Sequence, residues 1–465
     1  MNAVDQLYGL YRRIPVPLQN VMVTAYGYQL HRRRYGKEHD EVLDQLMRSV
    51  RWEKTRLKAL ELERLQETLA YAYEHVPHYR ELWKKIGFDP RDVRRIEDVR
   101  QLPVTEKDEV RADPWRFVSE TFHGKKLYKG GTSGTTGKPV TTYKDRSCYQ
   151  RTWAFQERQR QIWGITSTGP RVSIGVRPVV PMSQTRPPFW RHDLTEDNWH
   201  FSNFHIDERT LDAYVEKIAA IGPEEINAYP SGSYLVARHA LRRGINSIRP
   251  KTVISCAETL YAEQRATLEA AFGCKIADQY GSAEVVFWVG QCPSGTYHIS
   301  HEFGLLESVR GDTAVWDEPG DAVGTGFVNK VQVLIRYRLG DSVVLPRESS
   351  PCPCGMRTDV VSQIVGRTDD VLYAADGRAL GRLDILMKKL DSILEAQLVQ
   401  DERDHLLVNL VAVDEPDPAI EEEIRARVVN LFGAAMQVDF RWIDRIPRTA
   451  AGKFRYQLNL VGPPR

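Results

Sequence analysis

Cysteine is scarce in this sequence, six residues in 465, and they follow no regular spacing. That excludes a disulfide-framed scaffold and fits a reducing compartment. An excess of one charge is also missing: 64 Lys plus Arg against 62 Asp plus Glu leave +2. A general binder of nucleic-acid backbone, which needs a concentrated basic surface, is therefore excluded. No internal repeat or low-complexity tract is present, so a solenoid is excluded as well. No cleavable signal sequence is legible, and a cytoplasmic location is expected.

A long apolar run is nearly absent too. Ile14 to His31 lacks Asp, Glu, Lys and Arg, with Arg12, Arg13 and Arg32 to Arg34 on its flanks. Pro15, Pro17, Gln19, Asn20, Thr24 and Gln29 make it a poor membrane span. It reads as a helix docked on the body. A peripheral contact with a membrane surface is the second reading.

What remains is the composition of a globular protein, 42% hydrophobic and 27% charged, in a chain long enough for two or three domains. Leu65, Leu69, Ala72 and Val76 form one helical stripe that ends before Pro77, and residues 1–125 read as a helical extension. Residues 126–368 alternate strands such as Val172 to Val176 and Thr252 to Ser255 with helices such as Leu211 to Ile221 and Ser233 to Arg243. This predicts a layered α/β body. In residues 369–465 a small α+β module restarts the pattern. It comprises a helix through Leu383, Leu386, Leu390 and Ile393, strands Leu406 to Val413 and Val438 to Ile443, and a helix Ile420 to Phe432.

Chemistry concentrates in five short motifs. Gly130-Gly131-Thr132-Ser133-Gly134-Thr135-Thr136-Gly137-Lys138-Pro139 offers backbone N–H groups, hydroxyls and one cation, the makings of a phosphate-binding nest. Five residues separate Gly131 from Gly137, and Pro139 stands where a Walker A loop needs Ser or Thr, so it is not that loop. Downstream come Asp278-Gln279-Tyr280-Gly281-Ser282-Ala283-Glu284, then Tyr337-Arg338-Leu339-Gly340-Asp341. Gly366-Arg367-Thr368-Asp369-Asp370 and Pro447-Arg448-Thr449-Ala450-Ala451-Gly452-Lys453 complete the series.

In kind and order these resemble the motifs of the adenylate-forming superfamily, which includes acyl-CoA synthetases, luciferases and nonribosomal-peptide adenylation domains. The resemblance implies that Thr132 to Lys138 cradles the ATP phosphates. It places Tyr280 and its neighbours Asp278, Gln279, Gly281 and Ser282 at the adenine, and Glu284 on Mg²⁺, whose preference for carboxylate shared with phosphate suits that role. It puts Asp341 and Arg367 at the ribose, makes Asp369 the hinge and makes Lys453 the catalytic lysine of a mobile C-terminal domain. Ser255-Cys256-Ala257-Glu258-Thr259 resembles the adenine-side strand of phenylacetate-CoA ligases, so Ala257 and Glu258 join the nucleotide set. Asn227-Ala228-Tyr229-Pro230-Ser231 resembles their acyl-pocket strand, which gives Tyr229, Pro230 and Ser231 to the acid. The N-terminal stretch, with His75-Val76-Pro77-His78-Tyr79-Arg80 and Leu102-Pro103-Val104-Thr105, is similar to the CapK subgroup, related to coenzyme F390 synthetases.

Cys292 and His298, six positions apart, and Cys352 and Cys354 make up a Cys₃His set, the closed tetrahedral donor group of structural Zn²⁺. CapK-like relatives carry a similar pattern, with His301 as a stand-in for His298. The expected function is activation of a carboxylic acid as its acyl-adenylate, then transfer to CoA. Gly381 stands near the position of a Pro that phenylacetate-CoA ligases carry in the CoA-binding turn. The alternative acceptor is therefore an amine, giving an amide in surface-polysaccharide assembly.

Overall fold

A computed structural model describes residues 9–131, 139–165, 169–368, 371–374, 376–380, 383–387, 390, 392–413, 415–449 and 452–462, the side chains of 379 and 384 apart. The chain divides into two compact units that interleave along the sequence. One comprises Met1–Gly27, Ser167–Ile276 and Gly366–Arg465, the other Tyr28–Thr166 and Ala277–Val365.

In the first unit, strands run in the order Thr252–Ser255, Glu225–Ala228, Arg171–Gly175, Asn198–Ser202, Trp190–Asp193. The first four are parallel and the last, an edge strand, is antiparallel. Helices Leu211–Ile221, Pro230–Arg242 and Ala262–Phe272 connect or flank them, as right-handed crossovers between parallel strands require. Two of these helices end on a left-handed glycine, Gly222 and Gly273, which closes the last turn without a Cβ penalty. Val172, Ile174, Ile226, Val253 and Leu268 are fully buried in one apolar cluster with Tyr214 and Phe272.

The C-terminal module of this unit has its own core, with Leu398, Leu406, Val408, Ile424 and Val428 at its centre. Its four strands order as Gln437–Trp442, His405–Ala412, Ile393–Glu402, Gln457–Asn459. Asp417 caps the helix Pro418–Phe432 by accepting from Ala419 N, and Pro418 occupies the first turn, where no N–H is needed. One expectation fails here. Leu383 to Met387 is a single 3₁₀ turn, and Ile393 opens a ten-residue strand instead of ending a helix. The apolar residues that suggested a helical period serve two elements: Leu383 and Leu386 the turn, and Ile393 the sheet.

The second unit carries the predicted helical N-terminal portion. Lys54–His75 stops at Val76, and Pro77 begins the next helix, Pro77–Ile86, at a position where its missing N–H costs nothing. Leu65, Leu69, Ala72 and Val76 have no exposed surface and pack with Tyr79, Trp83 and the strand residues Leu305, Ala322 and Tyr337. Four antiparallel strands, Thr313–Ala314, Gly304–Arg310, Pro319–Gly326 and Tyr337–Val344, lie side by side in that order. A second set, Ile276–Gly281, Trp288–Gln291, Tyr297–Ile299 and Val360–Val361, is likewise antiparallel throughout. The Arg336 guanidinium, fully buried, pairs with Glu307 at 3.1 Å and donates to the Leu102 carbonyl, so an internal cation is matched on two sides.

The helix Val16–Arg34 spans the division between units at Gly27. Its first half docks on the edge strand Trp190–Asp193 through polar contacts. Gln19 Oε1 accepts from Arg191 Nε, Asn20 Oδ1 from His192 N at 3.1 Å, and Thr24 Oγ1 from Leu194 N at 3.2 Å. A Cβ on Gly27 would fall 2.0 Å from the Asp193 carboxylate, so close approach requires glycine there. The docked reading of this segment is the observed one, and among the described residues no helix is long and apolar enough to cross a membrane.

Candidate active site

The second and third motifs meet in the second unit. Asp278 to Gly281 belongs to the strand Ile276–Gly281, and Tyr337 to Asp341 to the strand Tyr337–Val344. Tyr280 donates its hydroxyl to Asp341 at 3.1 Å, with its ring tilted against Phe287 at 5.0 Å. Tyr337, fully buried, donates to Glu284 at 3.1 Å, and Asp278 accepts from Tyr297 at 2.7 Å. Three tyrosine hydroxyls therefore fix three carboxylates, which sets their direction without neutralising them. Glu284 is only 5% exposed. It lends its charge to Lys144, whose ammonium burial pushes below the ordinary lysine range. Among the described residues, the buried Gln279 Nε2 and the buried Ser282 hydroxyl meet no hydrogen-bond partner. Such donors cost about 1–3 kcal/mol each unless a ligand satisfies them. A polar nucleotide fits that donor set, and a single carboxylate at Glu284 fits Mg²⁺ shared with phosphate. Arg367 is half-buried in the strand Gln363–Arg367. The phosphate loop Thr132 to Lys138 and the hinge Asp369 lie outside the described residues.

The lysine motif lies in the first unit as a closed turn. Gly452 N donates to Thr449 O at 2.7 Å, Thr449 N to Lys453 O at 2.9 Å, and Lys453 N to Thr449 Oγ1 at 3.0 Å. Gly452 has φ +73°, and a Cβ there would lie 2.4 Å from Val176 and 2.7 Å from Phe204. The glycine thus serves both the turn and the close approach. Arg448 pairs with Glu395 of the C-terminal sheet, both side chains under a tenth exposed. Among the residues expected to meet the acid, Tyr229 follows the strand Glu225–Ala228, and Pro230 and Ser231 begin the helix Pro230–Arg242. Burial pushes the Tyr229 hydroxyl pKa up, so the phenol stays neutral. Ala257 takes φ +71°, a conformation unfavourable for a residue with a Cβ. The adjoining Glu258 accepts Ser231 N at 3.1 Å and Phe454 N at 2.8 Å, one on each carboxylate oxygen. Sequence reading gave Glu258 to the nucleotide; its carboxylate is taken up by protein backbone. Asn203, which sequence reading missed, donates to Gly452 O at 3.3 Å. Only its place after a strand end, Ser202, could have drawn notice.

The cysteine–histidine cluster belongs to the second unit. The donor atoms of Cys292, His298, Cys352 and Cys354 lie within 4.8 Å of one another. Cys292 Sγ is 3.7 Å from Cys352 Sγ, and Cys354 Sγ is 3.4 Å from His298 Nε2. Tetrahedral Zn²⁺ with bonds of about 2.3 Å to sulfur and about 2.0–2.1 Å to nitrogen puts donors roughly 3.5–3.8 Å apart. The residues present fit the ion. His298 Nδ1 is held by Thr358 Oγ1 at 2.9 Å, which leaves Nε2 for the cluster. His301 is not part of it. Its Nδ1 lies 3.0 Å from Glu61, and its Nε2 accepts from Asp359 N at 3.1 Å, both partners outside the cysteine set.

Residues 372–459 match the model of the CapK C-terminal domain. Protein CapK of Staphylococcus aureus is 27% identical over 457 residues, which cover 97% of this chain and 99% of that protein. Phenylacetate-coenzyme A ligase of Thermus thermophilus is 24% identical over 87% of this chain and 97% of its own length. Along nearly its whole length the chain is similar to CapK, and over most of it to phenylacetate-CoA ligase. The solved structure of 2-hydroxyisobutyryl-CoA ligase in its postadenylation state, with R3-HIB-AMP, superposes with a TM-score of 0.69 at 20% identity, over 88% of this chain and 90% of that one. It shares the fold of the CapK-like chain, a mixed α/β body with a small C-terminal α+β module.

In this CapK-like protein Gly452→Ala forces a Cβ into Val176 and Phe204. Amide exchange across 452–457 is expected to rise by at least about tenfold, since an overpacked contact of this kind typically costs 1–3 kcal/mol. Exchange equal to wild type, measured by mass spectrometry, would show that the turn does not depend on this approach.

Proposed function

We propose that this protein is an AMP-forming acid–thiol ligase. The reading is supported most by one feature: the second and third motifs converge so that Tyr280 orients Asp341 and Tyr337 orients Glu284. Relatives that carry ligase names along most of their length support it further. In the first half-reaction a carboxylate oxygen attacks the α-phosphorus of ATP, and pyrophosphate leaves with the bond's electron pair. In the second, the CoA thiol attacks the acyl carbon, AMP leaves, and the thiol proton passes to solvent.

Both steps shift charge between oxygens, so positioned charges matter more than covalent chemistry. In this reading Asp341 and Arg367 hold the ribose, the Thr132 to Lys138 loop holds the outer phosphates, and the Tyr280 face takes the base. Mg²⁺, when bound, neutralises phosphate charge, and Glu284 is the residue that would hold it. Lys453 steadies the α-phosphate and the entering carboxylate. Tyr229, Pro230 and Ser231 shape the acid pocket; aromatic and small residues together suit a ring-bearing acid. The C-terminal module is proposed to turn about Asp369 between the two half-reactions. Arg378, exposed and held by Asp376 at 2.6 Å, is a candidate for a CoA phosphate.

Lys453→Ala should lower ATP–pyrophosphate exchange by about 10²–10³-fold, yet leave transfer from supplied acyl-adenylate to CoA within about twofold. Equal loss of both half-reactions would sink the two-step assignment of this lysine. Supplying an amine in place of CoA in the same transfer assay separates the two acceptors, and amine-dependent AMP release would favour amide formation.

We further propose that Cys292, His298, Cys352 and Cys354 hold one structural Zn²⁺. Metal analysis of the purified chain should find about one zinc per chain. Cys354→Ser should lose it and lower the unfolding temperature. A metal-free wild type of equal stability would refute the site.

The helix Val16–Arg34 has an outward stripe of Leu18, Val21, Ala25 and Tyr28, with Val21 63% exposed, no acidic residue, and exposed Arg12, Arg13 and Arg32 at its ends. We propose that this face rests on an anionic lipid surface. Wild type should co-sediment with vesicles of anionic lipid and not with zwitterionic ones, and Val21→Glu should abolish it. Binding indifferent to lipid charge or to the substitution would reject the contact.

A further inference from the structure

Lys453 sits between two backbone groups that are each held by a side chain from elsewhere in the first unit. On one side Asn203 Nδ2 donates to Gly452 O at 3.3 Å, and on the other Glu258 Oε1 accepts from Phe454 N at 2.8 Å. Asn203 lies just past the strand Asn198–Ser202, and Glu258 just past the strand Thr252–Ser255. Both are fixed before the lysine turn reaches them. Asn203 is 2% exposed, and its Oδ1 crowds Gly232, where a Cβ would fall 2.0 Å away. Glu258 is anchored by its second oxygen on Ser231 N, in the first turn of a thirteen-residue helix whose N-terminal dipole favours a carboxylate. Although the residue keeps part of its surface open, desolvation raises its carboxyl above the ordinary range, against the pull of the two N–H donors. The strained φ +71° at Ala257 is what turns the chain into this position.

We propose that Asn203 and Glu258 form a two-point clamp that positions Lys453 by its flanking backbone, and that Glu258 ties this clamp to the acid-pocket helix. The inference rests on the adenylating role proposed for Lys453. Because the clamp reads backbone and not side chains, it sets where the lysine's Cα lies whatever the substrate. A side chain on either side of the lysine could not do this with equal precision, since rotamers move and peptide groups in a closed turn do not. Both partners are positioning residues and touch no reacting atom. The shared carboxylate also means that a shift at Ser231 N is felt at Phe454 N, one residue from the lysine.

The test uses the full-length chain with Glu258→Gln, Glu258→Asp and Asn203→Asp. Glutamine keeps the shape but has one acceptor for two N–H donors. Aspartate at 258 keeps the charge and is one methylene too short to span both. Aspartate at 203 keeps the shape and replaces the donor to Gly452 O with an acceptor. Each should lower pyrophosphate exchange, by about 10- to 100-fold for Glu258→Gln and Asn203→Asp. Transfer from supplied acyl-adenylate should stay within about twofold, and amide exchange across 452–457 should rise. Equal loss in both half-reactions with unchanged amide exchange would overturn the clamp, as would no loss in either. Should Lys453→Ala itself fail to separate the half-reactions, the role of the lysine falls. The amide-exchange result still decides whether Asn203 and Glu258 hold the turn. Asn203→Asp reads the clamp from its other side if Glu258→Gln does not accumulate.

Discussion

One carboxylate, that of Glu258, takes backbone N–H groups from two segments far apart in the chain, Ser231 and Phe454. Much of the first unit's functional geometry depends on it. A carboxylate accepting two N–H donors loses little freedom and needs no partner side chain, so the contact is short, directional and indifferent to neighbouring sequence. Its position is set by the parallel sheet: Ser255 ends one central strand, Ala228 ends its neighbour, and the two are paired in register. Loops at the carboxyl ends of parallel strands are where such sheets place their ligands. Asn203 follows the same rule from a third strand, so three strand ends converge on one turn. The turn brings what they cannot supply, a lysine.

The second unit uses a different device. There, tyrosine hydroxyls direct carboxylates: Tyr280 to Asp341, Tyr337 to Glu284, Tyr297 to Asp278. A neutral donor steers a carboxylate without cancelling its charge, which a lysine or arginine partner would do. Each tyrosine thus fixes the direction of one carboxylate oxygen. The cysteine–histidine cluster obeys a related economy. Thr358 takes the histidine nitrogen that faces away from it, and Glu61 with Asp359 takes His301 out of contention. The neighbouring histidine therefore has a structural task of its own, tying the helix Lys54–His75 to the loop beyond Cys354.

What could be read from sequence was local and chemical. Short motifs carry the glycines, carboxylates and lysine that their chemistry needs, so Tyr280, Glu284, Asp341 and Lys453 stood out before any fold was known. The stripe Leu65, Leu69, Ala72, Val76 was likewise legible, because a period of 3.6 leaves a trace over many residues. The strand Ile393–Glu402 was not. Its alternation begins where a run of leucines ends, and a short apolar run fits either period. Asn203 was illegible for another reason: its importance lies in a peptide group it meets 249 positions away. No local pattern encodes that. Glu258 was noticed as a carboxylate, but the backbone donors it meets, Ser231 N and Phe454 N, leave no local trace in sequence.

A clamp of this kind also suits a module that turns away, as is proposed for the C-terminal module. Net of solvent, a neutral hydrogen bond contributes about 0.5–1.5 kcal/mol and one to a carboxylate about 1.5–3 kcal/mol, whereas a buried ion pair resists opening. The Arg448–Glu395 pair is kept inside the C-terminal module, where it need not break when the turn moves. Asn203 with Gly452 O and Glu258 with Phe454 N are directional bonds at the lysine turn, and Arg238 with Ile393 O and Tyr261 with Tyr456 join the module to the same body elsewhere. On the proposed two-step reading Lys453 has to dock reversibly, since a fixed lysine could serve only one of two successive reactions.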